Sequence, residues 1–157
     1  MNEITLFTKN DRETRKVAGI LAKECLGVSG RKQALILGLV GDLGGGKTTF
    51  TSGFAEALGI KERVTSPTFV LMKIFKLAPR KKFKHLVHID AYRFDSVREL
   101  HALNWEEFVN NPKNIIVVEW ADRVKRALPQ DALIIKFKYI DDGAREIKIT
   151  QNAGTKK

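Results

Sequence analysis

Residues 34–50, ALILGLVGDLGGGKTTF, join a continuously apolar stretch to a glycine-rich turn and then to the start of a helical pattern. The apolar stretch 34–40 is typical of a strand buried on both faces within a parallel sheet. The turn from Gly41 to Thr48 matches the phosphate-binding loop pattern G-x-x-x-x-G-K-[ST]. A strand before this loop and a helix after it are the context that the pattern requires. We therefore interpret the turn as a nucleotide phosphate site.

Each residue type in this loop has a chemical reason. Glycines permit the tight backbone path that turns successive N–H groups toward phosphate oxygens, and a helix that begins near Lys47 adds its positive N-terminal end. The Lys47 ammonium supplies charge for the β- and γ-phosphates, and the Thr48 hydroxyl is a magnesium ligand. The residues expected to contact the nucleotide here are Leu43, Gly44, Gly45, Gly46, Lys47, Thr48 and Thr49.

Two carboxylates stand at the ends of other predicted strands. Asp90 ends the segment HLVHID, and Glu119 ends IIVVE. Ligands of open α/β sheets bind at the carboxyl ends of the strands, so both acids are expected to organise Mg²⁺ or to polarise water beside the loop. The residues leave open which of the two positions the water. The chain has no Asn-Lys-x-Asp quartet, which favours adenine over guanine.

Other polar residues have weaker signals. Ser66 and Thr68 flank a proline in a loop, where hydroxyls either sense the γ-phosphate or belong to an ordinary turn. Arg145 follows the turn of a terminal hairpin and is a candidate phosphate contact. The remaining notable side chains are expected to be structural: Cys25, His85, His88, His101, Trp105 and Trp120.

The order of predicted elements indicates the fold class. Strands alternate with helices, which favours an α/β, three-layer fold with a mixed, mainly parallel central sheet. Capping-box patterns predict one helix from Asn10 to about Leu26 and another from Ser96 to about Val109. We expect a single domain over residues 1–151 and a flexible tail over 152–157.

Composition and charge restrict the function classes. The 157 residues carry 28 Lys and Arg against 18 Asp and Glu, a net charge of +10. The segment from Arg63 to Ile89 contains seven basic residues and no acid, which indicates either a solvated surface or contact with a polyanion such as RNA. The N-terminus lacks a signal-peptide core, and no apolar run is long enough to cross a membrane. We expect a soluble, cytoplasmic protein without membrane contact.

Four segments together resemble a known family. They are GDLGGGKTTF (41–50), SPTF (66–69), HIDAYRF (88–94) and VVEWADR (117–123), in this order and at these spacings. The chain resembles TsaE, a family of small bacterial ATPases of tRNA threonylcarbamoyladenosine biosynthesis, over roughly residues 3–150. The resemblance implies a P-loop fold, binding of ATP and Mg²⁺, and weak ATP hydrolysis. It also implies TsaD and TsaB as partners: TsaD transfers the threonylcarbamoyl group to tRNA, and TsaE resets the complex between rounds.

The resemblance assigns roles to individual positions. It implies that Lys47, Asp90 and Glu119 form the catalytic set and that Thr48 and Glu119 hold the magnesium ion. It places Thr68 in a segment that behaves like a switch and Arg145 near the nucleotide. It places Thr8 and Asp11 near the adenine ring. Contact with tRNA is implied only through the complex, and the basic segment from Arg80 to Lys84 leaves direct contact open.

Two other functions remain at this point. One is a small-molecule or nucleoside kinase built on the same loop, although the chain has little room for an acceptor lid. The other is a tRNA-binding module that uses the net positive charge. ATP turnover stimulated by TsaD–TsaB, phosphate transfer to a small acceptor, and salt-sensitive tRNA binding without nucleotide would distinguish the three.

Overall fold

The computed structural model describes residues 3–42, 44–65, 70–79 and 81–151. Within these residues the strands form a single seven-stranded sheet in the order β1-β7-β6-β2-β5-β4-β3. The strands are β1 Glu3–Thr8, β2 Leu35–Val40, β3 Met72–Lys76, β4 His85–Asp90, β5 Asn114–Glu119, β6 Leu133–Asp141 and β7 Ala144–Gln151. The helices are α1 Asp11–Leu26, α2 Lys47–Ala57, α3 Val97–His101 and α4 Trp105–Val109, followed by a 3₁₀ helix, Ala121–Ala127.

The centre of the sheet is parallel and its edges are antiparallel. Strand β2 pairs in parallel with β5 and β6, and β4 pairs in parallel with β5. Strands β1, β3 and β7 pair antiparallel with their neighbours. The turn between β6 and β7 is made by Asp142 and Gly143, both with positive φ, as a tight hairpin requires. The expected α/β fold with a mixed sheet is confirmed.

Two cores lie on opposite faces of the sheet and account for the apolar run of β2. One core contains Leu35, Leu37 and Leu39 and packs under α1 and α2. The other contains Ile36 and packs under α3, α4 and the 3₁₀ helix. Since successive strand residues point to opposite faces, a strand covered on both faces must be apolar throughout. This is the three-layer arrangement that the sequence predicts.

Helix α1 begins and packs as the sequence predicts. The Asn10 side chain caps the helix by accepting a hydrogen bond from the Glu13 backbone N–H at 2.9 Å. Cys25 is buried in the first core, and burial raises the pKa of its thiol to about 12. A thiol with so high a pKa is not a nucleophile at neutral pH, so the prediction of a small core residue is confirmed. None of the described helices is long and apolar enough to cross a membrane.

The helix predicted from Ser96 to Val109 is wrong in its length. The structure divides it into α3 and α4, because Asn104 adopts a left-handed conformation with φ 64° and ψ 40°. Both Leu100 and Trp105 are buried in the second core. Five residues apart on one straight helix, they would point in different directions. The break allows both side chains to face the sheet.

Helices α1 and α2 approach each other closely at Gly53, which yields a test of the fold. A Cβ atom at Gly53 would lie 2.7 Å from the Arg15 Cα atom, so Gly53→Ala must push the helices apart. We expect this change to lower the free energy of unfolding by about 1–3 kcal/mol in urea denaturation. Gly19→Ala is the matched control, because its nearest neighbour would be the Ala57 Cβ atom at 3.7 Å. A Gly53→Ala chain as stable as the Gly19→Ala chain would contradict this packing.

Candidate functional site

The parallel centre of the sheet brings three strand ends to one edge. Leu39 of β2 is in register with Glu119 of β5, and Glu119 is in register with Asp90 of β4. The glycine-rich loop begins at Gly41, directly after Val40, the last residue of β2. The loop and the two acids are therefore neighbours because of strand order, although they are far apart along the chain.

The loop wraps around the start of α2. Gly44 and Gly46 have φ angles of 77° and 105°, in the region that favours glycine. Phe50 donates its backbone N–H to the Gly46 carbonyl at 2.8 Å and so begins the helical ladder at the end of the loop. Of the loop residues expected to contact a nucleotide, Leu43 lies outside the described residues. Gly44, Gly45, Gly46, Lys47, Thr48 and Thr49 all line one cavity.

Lys47 is buried and points back over the loop. Its Nζ atom donates to the carbonyl oxygens of Gly41 and of Asp42, the latter at 2.9 Å. The same atom lies 4.0 Å from the centre of the Trp120 ring, a cation–π distance. Burial lowers the pKa of Lys47, while nearby carboxylates, first among them Glu119, oppose that shift. The ammonium group is thus held at the mouth of the loop, in a partly desolvated place where its attraction for phosphate is strong.

Thr48 and Glu119 bring a hydroxyl and a carboxylate together beside the loop. The Thr48 hydroxyl donates to Glu119 Oε1 at 3.0 Å, and Glu119 is 2% exposed. Hydroxyl and carboxylate oxygens are hard ligands that suit Mg²⁺. Among the described residues, no group of three or more His, Cys, Asp and Glu is arranged to hold a metal. The Thr48 hydroxyl and the Glu119 carboxylate fit a magnesium ion that takes its other ligands from nucleotide phosphates and water, as Mg²⁺ usually does.

Asp90 lies in the same cavity at the end of β4. It is 4% exposed, and its Oδ1 atom accepts the Tyr92 backbone N–H at 2.9 Å. This contact holds the carboxylate against the turn that follows the strand. The structure thus brings Lys47, Asp90 and Glu119 together, as the sequence predicts, around an open cavity of about 330 Å³.

Arg145 reaches the loop from β7. Its guanidinium donates to Asp11 Oδ1 at 2.6 Å and to the Thr14 hydroxyl at 3.0 Å. A Cβ atom placed on Gly46 would come within 2.8 Å of Arg145 Nε, so only glycine fits there. Arg145 lines the cavity. Thr8, whose hydroxyl lies 2.9 Å from that of Thr14, belongs to the same network.

Two aromatic residues, Trp120 and Tyr92, line the cavity, and Trp120 was expected only to pack. Trp120 follows Glu119 directly and has a φ angle of 59°, which is unusual for a bulky residue. Its ring lies 4.8 Å from that of Tyr92, and both line the cavity beside Lys47. The interpretation of Trp120 as a packing residue is therefore incomplete. Its position immediately after a strand-end acid was the signal that could have identified it.

His88 was also expected to be structural, but it contacts the site. Its Nε2 atom lies 2.5 Å from Glu119 Oε2, and the side chain is fully buried. His88 and Asp90 are two residues apart on β4 and so point to the same face of the sheet. That spacing was the available signal. The other predicted site residue, Thr68, lies with Ser66 outside the described residues.

The strand order and the glycine loop between β2 and α2 define a protein of the P-loop α/β class. Comparison with known proteins gives a narrower assignment. A family model described as "Threonylcarbamoyl adenosine biosynthesis protein TsaE" matches residues 8–147. The chain belongs to the TsaE family.

Individual relatives agree with this assignment. The tRNA threonylcarbamoyladenosine biosynthesis protein TsaE of Bacillus subtilis is 38% identical over 152 residues, which cover 96% of this chain and 87% of that protein. The protein of the same name from Treponema pallidum is 34% identical over 120 residues, covering 75% and 83%. The crystal structure of Bacillus subtilis YdiB superposes with a TM-score of 0.70 at 33% identity, covering 96% of this chain and 86% of that one.

Proposed function

We propose that this protein binds ATP with Mg²⁺, hydrolyses it slowly, and acts as an accessory subunit of the complex that makes threonylcarbamoyladenosine in tRNA. The observation that carries the proposal is the convergence at one sheet edge of Lys47, the Thr48–Glu119 pair and Asp90. These groups supply a phosphate cradle, two magnesium ligands and a second carboxylate for the attacking water. Its relatives are named for the same tRNA modification.

We infer the role of each residue from its contacts. The loop amides and Lys47 bind the phosphates, because the N-terminus of a helix and a lysine ammonium both attract anions. Thr48 and Glu119 hold the magnesium ion, which supplies charge stabilisation at the transferring phosphoryl group when bound. Asp90 orients the water or accepts its proton. Arg145, held by Asp11 and Thr14, lies beside Gly46 and lines the cavity, which makes it a candidate contact for the nucleotide.

We infer the role of an accessory subunit from the relatives, which are named for tRNA threonylcarbamoyladenosine biosynthesis and not for phosphorylation of a small molecule. A nucleotide site in such a system is well suited to act as a switch. We propose TsaD and TsaB as the proteins that respond to the switch. Direct tRNA binding through the basic segment from Arg80 to Lys84 is the alternative, and salt-sensitive tRNA binding without nucleotide would support it.

Measuring ATP turnover tests this function. We expect slow release of inorganic phosphate by the chain alone and faster release when TsaD–TsaB is added. The Lys47→Ala chain serves as the control for contaminating ATPases. Phosphate transfer to a nucleoside or another small acceptor, with no response to TsaD–TsaB, would favour a kinase instead.

We expect ATP to strengthen binding to TsaD–TsaB, and Thr68→Ala to reduce that coupling more than it reduces ATP affinity. The contact between a hydroxyl and the γ-phosphate is lost on hydrolysis, so this contact can transmit the nucleotide state to a partner. Coupling of this kind typically changes affinity by about 5- to 150-fold. Titrations with ATP, with ADP and without nucleotide measure it, and Thr65→Ala in the same segment is the matched control. Equal affinity in all three nucleotide states would remove the switch from the proposal.

A further inference from the structure

His88 is a buried polar side chain for which the proposed chemistry has no direct use. It lies in the middle of β4, in register with Lys73 of β3 and with Val117 of β5. Neighbouring strands hold the backbone of β4 on both sides, and the His88 side chain has no exposed surface. Its ring is therefore held firmly in place, 31 residues before the glutamate that it contacts.

With the contact to His88, both oxygens of the Glu119 carboxylate have a side-chain partner. Oε2 faces His88 Nε2 at 2.5 Å, and Oε1 accepts the Thr48 hydroxyl at 3.0 Å. With a partner at each oxygen, the plane of the carboxylate is set. The oxygen turned toward Thr48 then lies beside the other candidate magnesium ligand.

The second ring nitrogen indicates which partner donates. His88 Nδ1 is buried and has no hydrogen-bond partner among the described residues. A hydrogen on Nδ1 would be a buried donor without an acceptor, which is costly. It would also leave two lone pairs facing each other between Nε2 and Oε2. A hydrogen on Nε2 removes both problems, so we assign the ring as the donor of this hydrogen bond.

We propose that His88 is a positioning residue that donates its Nε2 hydrogen to Glu119 and orients this carboxylate for magnesium. The proposal rests on the proposed function, because it assumes that Glu119 and Thr48 hold the ion. Residues that orient metal ligands in this way are worth about 10- to 100-fold in metal affinity or activity. His88 does not touch the nucleotide in this arrangement and acts only through Glu119.

The test measures nucleotide binding, by calorimetry with a non-hydrolysable ATP analogue, as a function of magnesium concentration. His88→Leu removes the donor, and we expect the half-saturating magnesium concentration to rise about 10-fold or more. Binding of the analogue in EDTA should not change. His88→Gln places an amide N–H near the position of Nε2 and should restore most of the loss, whereas the shorter His88→Asn should not.

Two controls separate positioning from packing. Val87→Ala removes buried volume from the same strand on the opposite face, so it should lower the melting temperature without changing the magnesium requirement. In a Glu119→Gln background, His88→Leu should add little further loss, because residues that act through one another are not additive. The comparison between His88→Gln and His88→Asn remains decisive if His88→Leu does not fold.

A spectroscopic measurement needs neither nucleotide nor metal. Long-range ¹H–¹⁵N spectra of the metal-free chain, which has three histidines, should show His88 as the tautomer with hydrogen on Nε2. Hydrogen on Nδ1 would overturn the proposal, and so would an unchanged magnesium requirement in both His88→Leu and His88→Asn. If the unmodified chain binds the analogue without any magnesium dependence, the magnesium site of the proposed function fails, and the role of His88 fails with it.

Discussion

Replacing Lys47 by alanine should abolish productive ATP binding while leaving the fold intact. The ammonium is held at the mouth of the loop and is partly desolvated, so it is a strong partner for a phosphate oxygen. Losing one partner of such a charged pair costs roughly 2–4 kcal/mol, which corresponds to roughly 30- to 1,000-fold in affinity. Titration calorimetry with an ATP analogue and Mg²⁺ measures the change.

A matched variant tests whether the position, rather than the net charge, is responsible. Lys125→Ala removes the same charge from the 3₁₀ helix, outside the cavity around the loop. It should retain the affinity of the unmodified chain. The far-ultraviolet circular dichroism of both variants should match that of the unmodified chain, since the described contacts of the Lys47 ammonium are with loop carbonyls and with the Trp120 ring at the cavity. Unchanged affinity in Lys47→Ala would contradict the assignment of the phosphate loop.

Asp90→Asn and Glu119→Gln should have different consequences, although both residues are buried at the same sheet edge. If Asp90 orients or deprotonates the water, its amide should cut turnover by about 10²- to 10⁴-fold with nucleotide binding nearly retained. If Glu119 holds the metal, its amide is a weaker ligand and should raise the magnesium requirement for binding. Single-turnover hydrolysis and magnesium titration of each variant distinguish the two roles.

The contacts support this division. Glu119 accepts a hydrogen bond from Thr48, the other candidate magnesium ligand, and Asp90 accepts one from the backbone N–H of Tyr92 at the turn after β4. An equal loss of magnesium affinity in both variants would show that the two acids share the metal. In that case the proposed division of roles between Asp90 and Glu119 is wrong.

The loop and its helix could be predicted because they depend on a contiguous stretch of chain. Gly44, Gly46 and Lys47 have the conformations and positions that the pattern implies, since a glycine loop followed by a helix is formed by local backbone geometry. The alternation of strands and helices predicts the sheet and its covered faces for the same reason. Glu119 and Asp90 were identified because parallel strand ends meet at one edge.

Other features depended on residues that are distant in the chain. The hydrogen bond between His88 and Glu119 exists because β4 and β5 are paired in a particular register. Arg145 contacts Asp11, 134 residues away, because β7 lies beside β1. No local pattern specifies such distances, since register and strand order result from packing of the whole sheet.

The sequence by itself determined the fold class, the phosphate loop and the strand-end acids of this protein, because each can be recognised from the periodicity or the motif of short contiguous segments. The tertiary structure alone decided the break at Asn104, the position of Trp120 against Lys47, and the partner of His88. At these positions burial outweighs the local conformational preference of the chain. Side chains from separate segments share one core or one cavity there, so the orientation of each depends on the others.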